Sequence, residues 1–124
     1  MLFRSDAEEL ETDWFRRTGI YPMHGTLVVK DSVLAAHPWV AKSLFNAFSQ
    51  AKDDWLRRLD RGATATPTDR KYAQLRKIVG HDPLPYGMAA NRRTIQALAD
   101  TAYKQQLIPR KMSIEELFVD PEEH

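Results

Sequence analysis

With 124 residues, 43% hydrophobic and 28% charged side chains and a net charge of +1, the chain is the size of one domain and has a globular composition, which excludes the disordered and collagen-like classes. It contains no apolar run near the ~20 residues of a membrane-spanning helix, and no basic-then-apolar leader pattern. The lack of cysteine excludes a disulfide framework and thiolate metal sites, which leaves both a reducing compartment and the periplasm open.

Met1-Leu2-Phe3-Arg4-Ser5 does not merge with the helical pattern after it and is expected to be a non-native scar, with the natural protein beginning upstream. Asp6 opens a helix over residues 6–18. It is the N-cap candidate with Glu9 three residues on, Arg16 and Arg17 fill the last turn, and Gly19 stops it. Leu10, Trp14 and Phe15 share one side and need a surface to cover. From Tyr21 to Lys30 the chain reads as a central β-strand, because Thr26, Val28 and Val29 are β-branched and Gly19 and Asp31 bound the run. A lone strand needs backbone partners, and the rest of the sequence offers no second strand of similar quality. Its neighbours are therefore expected in polypeptide outside this sequence.

Asp31–Ala36 reads as a short helical turn leading into His37-Pro38-Trp39, where Pro38 suits the first position of a long helix and His37 lies beside its N-cap. In that helix Val40, Leu44, Phe45, Phe48, Ala51, Trp55, Leu56 and Leu59 recur at helical spacing, with Lys42, Gln50, Lys52, Asp53, Arg57 and Arg58 largely opposite. Gly62 and the run to Pro67 separate it from a second stripe, Tyr72, Leu75, Ile78 and Val79, closed by Gly80. Two prolines make residues 81–87 a loop. A further helix starts at Met88 or Asn91 and ends before Pro109. Ser113-Ile114-Glu115-Glu116 is a capping box for a one-turn helix whose apolar end, Leu117 and Phe118, docks on the body. Residues 121–124 are expected to fray.

Chemistry-bearing candidates are few, since no glycine-rich phosphate loop, nucleophile elbow or paired metalloprotease histidines are present. His37 is explained by the helix start, His81 by a surface turn beside Asp82, and His124 by the terminus. His24, next to Gly25 in the expected strand, reads either as a hydrogen-bonded, partly buried imidazole or as a functional group where the glycine permits close approach. Pro85-Tyr86-Gly87 with Asn91, Arg92 and Arg93 places a rigid loop before a helix N-terminus, a natural anion site to which Arg92 adds a planar fork. The alternative is that Asn91 caps the helix and both arginines face water. Between Arg57 and Lys111, twelve Lys or Arg meet four acids, a layout that fits a solvated face or an anionic partner, including nucleic acid.

Taken together, Trp14–Pro22, His37-Pro38-Trp39-Val40-Ala41 with Ser43-Leu44 and Ala47-Phe48, Pro85-Tyr86-Gly87 with Asn91-Arg92, and Ser113–Phe118 resemble the C-terminal part of the 4,5-dihydroxyphthalate decarboxylase family, which is similar in fold to type II periplasmic solute-binding proteins. The resemblance implies an α/β parent of two lobes, two to three times this length, with its ligand between them. Residues 6–18 would be a helix of the second lobe, and residues 19–124 a hinge strand with four or five helices of the first lobe after it. The family usually places one more residue between the proline and the histidine than Pro22-Met23-His24 does, and a one-residue change in a strand reverses a side chain's facing unless a bulge absorbs it.

What the resemblance implies for activity is non-oxidative decarboxylation of an aromatic diacid; no cofactor is expected and no residue is nominated as a metal ligand, metal dependence being left open. The resemblance supplies matching positions, and the chemistry such a reaction needs nominates His24 as acid, Arg92 to orient carboxylates and Tyr86 as a hydrogen-bonding wall, with Tyr21 and Asn91 as further substrate-binding residues. The alternative is the substrate-binding component of an ABC transporter, which adds a permease as partner. A helical nucleic-acid binder is a third, weaker reading. The protein is expected in the cytoplasm if a decarboxylase and in the periplasm if a solute binder, and this segment alone is expected to be inactive.

Overall fold

A computed structural model of the chain describes residues 6–123; the expected scar and His124 lie outside the described residues. Six helices make up the regular structure among them: α1 (Ala7–Thr18), α2 (Asp31–Ala36), α3 (Val40–Asp60), α4 (Pro67–Val79), α5 (Met88–Lys104) and α6 (Ile114–Leu117). The expected strand is corrected. Residues 19–30 carry no strand, and the architecture among the described residues is helical throughout. The reason is the one that made the strand conspicuous. An extended backbone becomes a strand only through ladder partners, and among the described residues no hydrogen bond engages residues 22–29.

Local chemistry explains most helix ends. Gly19 terminates α1 in the left-handed conformation at φ 67°, and its N–H donates to the Phe15 carbonyl. Arg93 of α5 reaches the same end, where its Nη1 donates to the Thr18 carbonyl at 3.0 Å. Thr66 and Asp69 form a capping box at α4, with Pro67 at its first position. Ser113 and Glu116 form the one expected at α6. Two starts differ from expectation. Asp6 is at the N-cap of α1 but its side chain does not make the capping bond. Pro38 and Trp39 form a turn, so α3 begins at Val40, while the His37 N–H closes α2 on the Val33 carbonyl.

The core is small. Met88, Ile95 and Ile114 form its centre, Met23 and Phe118 pack on it, and Leu56, Leu59, Ala99 and the fully buried Pro83 are the other buried apolar residues among those described. Trp55 joins α3 to α4 by donating from its indole N–H to Asp69 at 2.9 Å and meeting Tyr72 edge to face at 5.3 Å. Beyond these contacts the body is open. Its accessible surface is 9480 Å², against about 6,800 Å² for a compact monomer of this mass. Leu10 and Trp14 of α1, expected to cover a surface, are exposed, and only Phe15 finds a partner, the ring of Tyr21 at 6.0 Å.

The basic middle of the chain is largely satisfied from within. Arg57 pairs with Asp54, Arg76 with Asp60, Arg92 with Glu115 and Arg110 with Glu116, while Arg70 and Arg93 donate to carbonyls.

One of these pairs gives a pH dependence. The Arg110 guanidinium, with the Ser113 N–H adding to it, lowers the Glu116 carboxyl from an ordinary 4.5 to about 2. A carboxyl depressed in the folded state stabilises above its unfolded value and loses that contribution as pH falls towards the folded one. Stability is therefore expected to decline between about pH 4.5 and 2. Thermal melting of Glu116→Gln should show a flatter decline than the parent over this window, and parallel curves would refute the assignment.

Candidate functional site

The extended segment lies across the helical body and leaves a groove of about 520 Å³ between residues 21–29, the α3 face carrying Leu44, Phe45 and Phe48, the loop 84–87, the start of α5, and Phe118 to Pro121. Four of the five residues singled out from the sequence line it: Tyr21, His24, Tyr86 and Asn91. Arg92 does not. It projects from the other side of α5 and binds Glu115 across 2.9 Å; the Glu115 carboxyl is held below its usual value by that residue's own backbone N–H and then by this guanidinium. Arg92 thus lies outside the groove that the other four line. A residue one step along a helix is rotated by about 100° from its neighbour, which carries Arg92 away from the face on which Asn91 meets the groove.

His24 is exposed and makes no hydrogen bond, ion pair or ring contact with any described residue, so the reading of a hydrogen-bonded, partly buried imidazole does not hold. A side chain added at Gly25 would meet nothing within 4 Å, so the expected close approach of other backbone there is not made.

Tyr21 is held at three points. The hydroxyl of buried Thr94 accepts from the Tyr21 N–H at 3.1 Å and donates to the Tyr21 carbonyl at 2.9 Å. This supplies from a side chain what a neighbouring strand would supply from its backbone. The phenol donates to the Pro83 carbonyl at 2.7 Å. Burial raises the Tyr21 pKa, with Tyr72 and then Asp82 adding to it.

The loop 81–87 has no regular structure, and its carbonyls are satisfied one at a time. Tyr21 takes that of Pro83, Lys52 that of Leu84 at 3.1 Å, and the Asn91 amide nitrogen those of Pro85 and Gly87, both at 3.0 Å. Asn91 thus fastens the loop from the first turns of α5, and the N-cap position belongs to Gly87. Gly87 has φ 92°, and a Cβ there would lie 3.0 Å from Glu122 and 3.4 Å from Phe45, so both conformation and space call for glycine.

Lys52 is the residue that sequence reasoning placed wrongly. Expected on the solvated face of α3, its side chain is only 9% exposed. The ammonium donates to Asp82 at 2.6 Å and stands 4.3 Å from the centre of the Tyr86 ring. Asp82 in turn accepts from the Leu84 N–H at 2.9 Å. Burial raises the Tyr86 pKa, with Asp82 and then Tyr72 adding to it, so both groove phenols are neutral hydrogen-bonding groups at physiological pH. Among the described residues there is no cluster of His, Asp or Glu able to hold a metal ion, and no helix long and apolar enough to cross a membrane.

Fold and groove together define an open helical body with an apolar concave face, whose polar lining residues are Tyr21, His24, Thr26, Asp31, Tyr86 and Asn91. No protein-family model matches the chain. Among curated proteins it is similar to the 4,5-dihydroxyphthalate decarboxylase of Comamonas testosteroni, at 29% identity over 117 residues that cover 91% of this chain and 36% of that protein. The chain thus spans about a third of the length of the relative it matches. The relationship is distant, and decarboxylase-like is as far as it reaches.

Proposed function

We propose that these residues form one wall of a ligand cleft in a decarboxylase-like protein, and that the facing wall is contributed by polypeptide beyond this sequence. The observation that carries the reading is the groove itself. It is flanked by an extended segment whose backbone has no partners from residue 22 to 29 among the described residues and whose Leu27 and Val28 are 63% and 87% exposed. The excess surface and the one-third span of the relative support the same reading. In such a parent, residues 21–30 would take up strand partners and become the hinge between two lobes, with α1 belonging to the second.

The occupant proposed is a small planar aromatic acid. Tyr86, Phe45 and Phe48 offer faces for an aromatic ring, and the phenol and imidazole groups offer polar contacts at its edge. No described residue lining the groove carries a guanidinium, so the cation that orients a carboxylate would come from the facing wall. Decarboxylation of such an acid breaks the bond from ring carbon to carboxylate, releases carbon dioxide and puts a proton on that carbon. His24, unengaged and facing the groove, is the group placed to deliver it.

The test uses the full-length protein with its natural upstream sequence, incubated with 4,5-dihydroxyphthalate while carbon dioxide release and thermal melting are measured. Release of carbon dioxide is the expected result. A raised melting temperature without release would replace the enzyme by a solute-binding protein, and neither response would overturn the reading of the groove.

A further inference from the structure

Lys52 occupies a position where the helical pattern asks for an apolar side chain. Phe48 precedes it by four residues and Leu56 comes four after it, so 48, 52 and 56 lie in one row on α3. A methionine or leucine there would bury without the cost of removing an ammonium from water. The charge is nonetheless enclosed, and each of its contacts goes to the loop that carries Tyr86: the Asp82 carboxylate, the Leu84 carbonyl and the face of the Tyr86 ring. Lys52 does not line the groove, whereas Tyr86 does.

We propose that Lys52 is a positioning residue that sets the plane of Tyr86 as a stacking wall for an aromatic ligand, acting through that ring and never touching the ligand. The inference rests on the reading of the groove as a cleft for a planar aromatic acid. Its physical basis is that a cation prefers the centre of a ring face, so an ammonium fixed by two hydrogen bonds restrains the tilt of the ring against it. Asp82 is the counter-charge that keeps the ammonium in place, and its bond to the Leu84 N–H fixes the loop to the same point. Arginine can replace this arrangement in part, because a guanidinium stacks on a phenol and pairs with a carboxylate. Methionine can fill the space but holds neither.

The experiment is a double-mutant cycle in the full-length protein, with variants Lys52→Met, Lys52→Arg, Tyr86→Leu and Lys52→Met/Tyr86→Leu, and 4,5-dihydroxyphthalate as probe in calorimetric titrations. Lys52→Met is expected to weaken binding about tenfold and Lys52→Arg about threefold or less, while in the Tyr86→Leu background Lys52→Met should change affinity by less than about twofold. An equal loss in both backgrounds would mean that Lys52 acts through general stability, and would overturn the proposal. If the parent protein does not bind the diacid, the reading of the groove fails, and the positioning claim is decided separately by the ε-methylene protons of Lys52. Ring-current shifting of those protons that disappears in Tyr86→Leu sustains it, and unshifted protons refute it.

Discussion

Replacing Ile114 by alanine is expected to cost about 2–5 kcal/mol of folding stability, the usual range for emptying a buried aliphatic site. Ile114 is only 2% exposed and lies with Met88 and Ile95 at the centre of the core, where Met23 and Phe118 pack against the cluster. The helix it belongs to, α6, has four residues and one capping box. A single turn has no stability of its own, because nucleation is unfavourable and there is no propagation to offset it. Ile114 is therefore what attaches α6 to α5. Its loss also removes support from Met23 and Phe118, which border the groove from two sides. Urea denaturation measures the effect. Ile114→Val, which removes one methylene, should cost about 0.5–1.5 kcal/mol. A change under about 1 kcal/mol for the alanine variant, below the usual range for such a truncation, would show that α6 is not anchored by this side chain.

The second large effect is expected at Thr94, the one polar residue buried with the core among the described residues. Thr94→Val keeps the shape and removes a hydroxyl that both accepts from and donates to the Tyr21 backbone. Two backbone groups then lose their partner in a partly buried place, at a cost of about 1–3 kcal/mol. The consequence goes beyond stability, because this clamp fixes the first residue of the extended segment on α5. Releasing it frees the Tyr21 end of residues 21–30 while the helices remain. Amide hydrogen exchange distinguishes the two effects: the Tyr21 amide should lose protection by a larger factor than the amides of α3. Uniform loss across the chain would argue against a local clamp. Thr94→Ser, which retains the hydroxyl, should restore the protection.

The helices were legible because each was written in local terms. The stripe on α3, the capping box at α6, Gly19 after α1 and the prolines of residues 81–87 act within a few residues, and each is found where the pattern put it. The candidate site was legible in part. Tyr21, His24, Tyr86 and Asn91 reach one groove, although Tyr21 and Asn91 are occupied in holding the loop 81–87. Arg92 lies outside the groove, paired with Glu115, because one step along a helix turns a side chain by about 100°. Lys52 was misjudged because its charge was taken to mean solvent, whereas the loop 81–87, some thirty residues on, supplies Asp82 and the Leu84 carbonyl to enclose it.

By itself, then, the sequence determined where the chain turns helical and where it stops, since those choices are settled by hydrogen bonds and side-chain contacts within one or two turns. It also marked residues 21–30 as a strand, which they are not among the described residues, because a strand needs ladder partners that local sequence cannot supply. Only the tertiary structure decided that a threonine hydroxyl stands in for a neighbouring strand, that a lysine is enclosed beneath a tyrosine, and that Arg92 turns away from the groove. Each of these depends on residues tens of positions apart meeting at hydrogen-bond distance, as Tyr21 and Thr94 do across 73 positions, and no local pattern encodes such a meeting.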